Sequence, residues 1–473
     1  MRRLDYHRKR LRDLGAALGA GRAVTEREHW ARERLEHYQQ ERLEALVRDV
    51  RARSPYWAAR LPRGRVALEQ LPRMDKVELM GSFDELVTDR RLRRDELFGH
   101  LERIDRDELY LGEYRAMATS GSSGRKGVFV YDRQAWIGIL AQFLRYSAWI
   151  GIKPKVPRMR IASVAGGVPT HMSQRVAASV AVGIHRVTPL AATAPLASLV
   201  EQLNAAQPEA LNAYPSMARL LADEQVAGRL RLRLRLMSTS SEPLPAETRD
   251  RLERAFGVRP FNLYGTTEGL WGCDCAEHAG VHLFEDFTIV ENVDADGRPV
   301  PAGESGARLL VTNLFNRIQP LIRFELGDMV SVDPQPCRCG RTLLRLREIE
   351  GRSEDVIRLG GVAVHSMQFA PLSSDPDVRE FQVVQEGERL RIRLALRAGA
   401  NGAAARLQAT LAERLRKAGI AEPAIEVEVV ERLERPPGGK LALVVADRSL
   451  RGRGSDRAAH EPGARAQCER AGG

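Results

Sequence analysis

The sequence predicts an α/β fold. It reads as a large N-terminal domain of mixed and parallel α/β sheets with a β-rich subdomain, then a small α+β C-terminal domain joined by a hinge. Three observations predict it. Short apolar runs alternate with helical ones from about 115 to 330, which implies strands joined by helical crossovers. From about 283 the alternation gives way to β-type runs punctuated by turns such as "DADGRP" and "PAGESG". The 473 residues exceed what one core usually holds, so at least two domains are expected. The expected boundaries are 1–350 for the large domain, 351–449 for a small mobile domain, and 450–473 for a disordered tail.

Taken in order, residues 25–52 read as one amphipathic helix. Thr25 and Glu28 stand at the spacing of a capping box, and Trp30, Leu35, Leu43, Leu46, Val47 and Val50 share a broad apolar face. The strand run "GVFVYD" precedes the helix "RQAWIGILAQFLRYSAWIGI". "RMRIASVAG" precedes "MSQRVAASVAVG", "EALNAY" precedes "PSMARLLADEQ", and "LRLMST" precedes "PAETRDRLERAFG". The β-rich part contains "HLFEDFTIVENV", "ARLLVTNL" and "MVSVD". In the small domain "FQVVQEGERLRIRLAL" reads as a hairpin, "AAARLQATLAERLRKAG" as a helix and "AIEVEVVERL" as a strand. The final stretch has no apolar periodicity, hence the expected disorder.

Hydrophobic residues make up 43% and charged residues 29%, a globular profile. No apolar run approaches a membrane span. The basic N-terminus has a short apolar part, and Asp13 interrupts the approach to it, so a signal peptide is not expected. The expectation is a cytoplasmic monomer or homodimer with no membrane partner. The net charge of +11 is spread as Arg among Glu and Asp, as in "ERLEALVRDVRARS". No helix-turn-helix, RRM or KH signature accompanies it, so no nucleic-acid partner is expected. Small polyanionic ligands fit the charge.

Four of the five cysteines fall in two C-x-C pairs, a spacing that suits metal ligation better than a disulfide framework. Cys275-x-x-His278 with Cys337-x-Cys339 gives a Cys₃His set suited to a closed, structural zinc site. Cys273 and His282 are substitute ligands.

The stretch "ATSGSSGRKGVFVYD" raises a chemical question. Small residues let several backbone N–H groups approach one anion, and phosphate is the obvious guest. No Walker A string occurs. Alone, such a loop is as readily a solvated turn. Four further motifs accompany it: "FNLYGTTEG" (261–269), "QPLIRFELGDMV" (319–330), "GRSEDVIRLGGVAV" (351–364) and "RPPGGK" (435–440). With "LPRMDKVELMGSFDELVTD", "VTNLFNRIQPLIRFELGD" and "CRCGR", the chain resembles the adenylate-forming superfamily, and within it the phenylacetate–CoA ligase family, over about residues 30–447.

The resemblance implies an AMP-forming acid–thiol ligase using ATP with Mg²⁺ and CoA. Thr119, Ser120, Gly121, Ser122, Ser123 and Gly124 would wrap the β- and γ-phosphates, with Arg125 and Lys126 adding charge. The family usually has Pro at position 126, so Arg-Lys-Gly departs from its pattern. Tyr264 would stack on adenine, with Gly265 and Thr266 following it and Ser241 and Glu242 on the facing wall. Thr267 would contact the α-phosphate and Glu268 would hold magnesium. Asp328 would take the ribose hydroxyls with help from Arg352, and Lys440 would be the catalytic lysine. Glu354 would be the hinge of a domain alternation that later presents Gly360, Gly361 and Val362 beside a pantetheine tunnel. Some relatives carry a zinc at the corresponding place.

The implied substrate is a small aryl or arylacetic acid. Trp136, Phe143, residues 165–171 and residues 212–216 are the candidate walls, with His171 and Tyr214 as polar points. The alternatives are an amide synthetase or carrier-protein loading enzyme built on the same adenylate, and a non-catalytic nucleotide-binding descendant. Lys440, Glu268 and Asp328 argue against the last.

Overall fold

The computed structural model describes residues 3–64, 66–119 and 127–447. These form two compact units. The first runs up to Glu354 and takes in Glu434–Leu441; the second runs from Asp355 to Leu433 and resumes at Ala442. The segment carrying Lys440, expected in the small domain, is therefore part of the first unit.

A nine-stranded sheet organises the first unit. Arg160–Ala165 lies between Arg186–Ala191 and Ala210–Ala213, and Leu236–Ser240 and Phe261–Gly265 follow outward, all parallel. At Phe261–Gly265 the sheet changes sense. Trp271–Asp274, Val281–Leu283, Arg345–Arg352 and Asp328–Val332 continue it antiparallel. The strand–helix pairs read from the sequence are present, including the helices Met172–Val180, Pro215–Val226 and Ala246–Phe256. A strand and helix at Arg186–Ala191 and Leu196–Ala206 complete the pattern. The strand is mostly exposed and interrupted by Pro189, so its apolar signal is weak. "GVFVYD" does not enter this sheet. Its strand Val128–Tyr131 pairs antiparallel with Arg115–Ala118, because the intervening loop is too short for a crossover. Asp132 then caps the helix Arg133–Trp149 by accepting the Ala135 N–H at 2.8 Å.

The expected single helix over 25–52 is two, Gly21–Arg27 and Arg32–Arg53. Thr25 lies inside the first, so there is no capping box there. The reason is tertiary. Glu28 is drawn into the interior, where its carboxylate lies 3.2 Å from Arg145 and 2.9 Å from Arg341. Its carbonyl accepts the Thr342 N–H at 3.0 Å. The second helix still buries Leu35, Leu43, Leu46, Val47 and Val50 as the pattern requires.

The second unit has a four-stranded sheet in the order Ala424–Val429, Arg389–Leu396, Val378–Glu386, Val444–Val445. Its hairpin Val378–Leu396, helix Ala403–Lys417 and strand Ala424–Val429 match the sequence reading. Leu407, Leu411 and Leu415 supply the buried stripe of that helix, at the spacing of one face. Among the described residues no helix is long and apolar enough to cross a membrane.

Arg145 joins the N-terminal helices to the core. Its guanidinium donates twice to Asp286, at 2.6 and 2.9 Å, and once to the Val24 carbonyl at 2.6 Å. Both charged side chains are inaccessible to solvent. Removing one partner leaves the other charge buried and undercompensated. Arg145→Ala is expected to lower unfolding free energy by about 3–5 kcal/mol, measured by denaturant titration.

Candidate active site

The reversal at Phe261–Gly265 creates a tight turn beyond the carboxyl end of a parallel strand, the end at which open α/β sheets bind ligands. Thr266 closes the turn, its N–H donating to the Leu270 carbonyl at 2.9 Å. Tyr131 Oη donates to the Thr267 carbonyl at 2.7 Å, and Asn313 Nδ2 to the Glu268 carbonyl at 2.9 Å. Main-chain anchors thus fix Thr267 and Glu268 while leaving their side chains for other work. Glu268 is buried and has no ion-pair partner among the described residues. Burial pushes its carboxyl up, with Lys76 and then Arg352 pulling it back. Such a carboxylate fits a hard cation.

Gly269 has φ +99°, and a Cβ there would sit 2.5 Å from Asn313 Nδ2. Position, conformation and the Asn313 anchor all require glycine. Gly269→Ala should therefore cost about 1–3 kcal/mol of stability, read as a lowered denaturation midpoint.

Tyr264, Asp328 and Arg352 form one constellation beside this turn. Tyr264 Oη donates to Asp328 Oδ2 at 2.9 Å, and Arg352 Nε lies 3.4 Å from Asp328 Oδ1. Asp328 and Arg352 are cross-strand partners, so the sheet register itself brings them together. Burial, then Asp328, pushes the Tyr264 phenol well above its ordinary range, so it stays neutral. The Asp328 charge holds Arg352 above its own.

Of the small-residue loop, Thr119 and Gly127 are described; Ser120, Gly121, Ser122, Ser123, Gly124, Arg125 and Lys126 lie outside the described residues. The neck is closed by Thr119 N–H to the Gly127 carbonyl at 3.0 Å and Gly127 N–H to Thr119 Oγ1 at 2.9 Å. Lys76 Nζ also donates to Thr119 Oγ1, at 2.9 Å. Burial lowers its pKa, and the Glu268 charge opposes that shift. Sequence reasoning gave Lys76 no role, although it lies within "LPRMDKVELMGSFDELVTD". Only the fold puts it beside the loop.

The Lys440 segment reaches the same end of the sheet. Tyr214 Oη donates to the Gly438 carbonyl at 3.3 Å and accepts the Gly166 N–H at 2.9 Å. Gly166 is required by proximity: a Cβ there would lie 2.1 Å from the Gly438 oxygen. Ser241, a non-glycine at φ 71°, turns the chain so that Glu242 points at this segment. That conformation costs about 1–2 kcal/mol for a residue with a Cβ. Both oxygens of Glu242 are taken by backbone N–H groups, Ser216 at 2.9 Å and Leu441 at 2.8 Å.

The Lys440 ammonium has no hydrogen-bond or ion-pair partner among the described residues. Burial, then Arg352, lowers its pKa. Burial and then Lys440 push His171 down to about 4, so its imidazole is neutral at pH 7. Trp136, a candidate wall, belongs instead to the core. It is fully buried, donates from Nε1 to Ser179 Oγ at 3.1 Å, and lies under the Arg115 guanidinium at 4.8 Å. Glu354 sits in the single turn Ser353–Asp355, the last residue of the first unit.

The cysteine pairs converge, with one change of partner. Cys275, His282, Cys337 and Cys339 place their ligand atoms within 4.8 Å of one another. The structure selects His282 over His278. His278 packs on the Phe261 ring at 4.4 Å, with Nδ1 3.6 Å from Asp274. His282 lies on the strand Val281–Leu283, paired opposite Arg345, and its Nδ1 sits 3.1 Å from the Leu343 carbonyl. That contact leaves Nε2 facing Cys339 Sγ at 3.5 Å. Cys275 and Cys337 sulfurs are 3.7 Å apart. A tetrahedron with zinc–sulfur bonds of 2.3 Å has an edge of about 3.8 Å, so the donor set fits the ion. Cys273, the other substitute, is buried apart from the cluster.

Comparison with known proteins identifies the family. Residues 36–312 match the AMP-binding enzyme family. Phenylacetate-coenzyme A ligase of Thermus thermophilus is 30% identical over 381 residues, covering 76% of this chain and 79% of that protein. Phenylacetate-coenzyme A ligase of Escherichia coli is 29% identical over 274 residues, covering 54% and 59%. The crystal structure of 2-hydroxyisobutyryl-CoA ligase, in its postadenylation state in complex with R3-HIB-AMP, shares the fold with a TM-score of 0.69. It does so at 22% identity, over 90% of this chain and 92% of that one. The chain belongs to the AMP-binding enzyme family and, within it, to the phenylacetate–CoA ligase-like group.

Proposed function

We propose that this protein joins a small carboxylic acid, of aryl or arylacetic type, to CoA at the expense of ATP. In the first half-reaction a carboxylate oxygen attacks the α-phosphorus, the bond to the β-phosphate oxygen breaks, and pyrophosphate leaves. In the second the CoA sulfur attacks the acyl carbon, AMP leaves, and the thiol proton passes to solvent. The observation that carries this reading is the Lys440 ammonium, partly buried and unpaired among the described residues, at the same end of the sheet as Glu268, Asp328 and Arg352.

Two anions must meet in the first step, so cations and oriented dipoles are what the site has to supply. Lys440 would bridge the carboxylate and the α-phosphate. Asp328, oriented by Tyr264 and Arg352, would accept from the ribose hydroxyls. Glu268, with Thr267 beside it, would hold magnesium, whose charge when bound offsets that of the phosphates. Thr119 and Lys76 lie at the neck of the phosphate loop. Small and aromatic residues around Gly166, His171 and Tyr214 favour a compact acid, and membership with phenylacetate–CoA ligases supports CoA as the acceptor.

The test is pyrophosphate release over a panel of aromatic and aliphatic acids, with and without CoA. Acid-dependent release with a thioester product is expected; release without thioester would point to an amine or carrier acceptor. Lys440→Ala should lower adenylate formation by at least about 100-fold. It should largely spare thioester formation from a supplied adenylate, and equal loss of both would contradict the assignment.

The Cys₃His cluster is assigned to structural zinc, since four protein donors leave no position for a reacting water. Metal analysis should find about one zinc per chain. Cys337→Ser should lose it and lower the melting temperature, whereas His278→Ala should keep it. Retention in Cys337→Ser, or loss in His278→Ala, would refute this ligand set.

A further inference from the structure

We infer that Glu242 is a positioning residue, a latch that holds the lysine-bearing segment in place for adenylate formation and takes no part in thioester formation. The inference rests on the function proposed above. Its basis is that Glu242 bridges two remote stretches of backbone. One carboxylate oxygen accepts from Ser216, in the first turn of the helix Pro215–Val226, where negative charge is favoured by the helix dipole. The other accepts from Leu441, the residue next to the lysine. Only a carboxylate offers two equivalent acceptors here. A glutamine would present one acceptor and turn an amide NH₂ toward a backbone N–H.

Neighbouring contacts act on the same short segment. Arg435 Nη1 donates to Ser216 Oγ at 2.8 Å and to the Gly439 carbonyl at 3.1 Å. Ser216 is thus shared, giving its N–H to Glu242 and its hydroxyl oxygen to Arg435. Tyr214 and Gly166 grip Gly438 from the other side. The left-handed conformation of Ser241 is the local feature that aims Glu242. Burial pushes the Glu242 carboxyl up, and the Leu441 and Ser216 N–H groups hold it down. Together these contacts tie the residues on either side of Lys440 to the rest of the first unit, to which Glu434–Leu441 belongs.

The test measures two half-reactions in the intact protein. Acid-dependent ATP–pyrophosphate exchange reports the first, and thioester formation from supplied acyl-adenylate and CoA reports the second. For Glu242→Gln, exchange should fall by about 10- to 100-fold, the worth of one or two hydrogen bonds to a charged acceptor. Thioester formation and calorimetric ATP affinity should stay within about twofold of wild type. Arg435→Ala, which breaks a companion tie on the segment, should show the same split with a smaller loss and covers the case in which Glu242→Gln folds poorly. Parallel loss of both half-reactions in a variant with an unchanged unfolding midpoint would overturn the latch. So would an exchange rate unchanged in both variants, or a tenfold weaker ATP affinity, which would place Glu242 on the nucleotide. Absence of acid-dependent exchange in the wild-type protein would instead overturn the proposed function itself.

Discussion

A cation held partly out of water with no anion beside it is unfavourable, and the arrangement around Lys440 depends on tolerating it. Its pKa is lowered by burial, while Glu242 and Glu268 offset part of that effect from a distance. A direct ion pair would stabilise the ammonium but also neutralise it. The structure instead spends its carboxylates elsewhere. Glu242 is occupied by backbone donors, and Asp328 by Tyr264 and Arg352. Positive charge is left over at this end of the sheet, and joining two anions demands electrostatic preorganisation of that sign.

The sheet decides where that charge is presented. Parallel strands end together, so the loops after Arg160–Ala165, Ala210–Ala213, Leu236–Ser240 and Phe261–Gly265 share one edge. Those loops supply Gly166, Tyr214, Glu242 and the Thr266–Gly269 turn. The switch to antiparallel pairing then brings Asp328 and Arg352 across the sheet to Tyr264. Tyr264 and Asp328, 64 positions apart in sequence, thus meet without a long loop having to carry either.

Much of this was legible in the residues. Strand–helix alternation named the parallel core, and short motifs such as Tyr-Gly-Thr-Thr-Glu, with the glycine after it, marked turns that the structure places at the candidate site. The readings that failed did so for tertiary reasons. The helix expected over 25–52 breaks because Glu28 gains two arginine partners from remote segments, outweighing local propensity. His278 has the tighter sequence spacing to Cys275, yet His282 faces the other cysteines because its strand pairs opposite Arg345. Trp136 carries an apolar signal that fits a pocket wall and a core equally well, and packing settled it as core.

By itself, the sequence determined which chemical groups are available: a lysine after two glycines, a Tyr-Gly-Thr-Thr-Glu string, an aspartate after glycine, and two C-x-C pairs with two histidines near the first. These are properties of neighbours along the chain, where residue type and spacing are fixed. Tertiary structure alone decided which groups face one another. It gave Glu242 to the backbone of the lysine segment, Lys76 to the neck of the small-residue loop, and His282 to the sulfur cluster. Such pairings are set by sheet register and the close packing of remote segments, which no local pattern encodes.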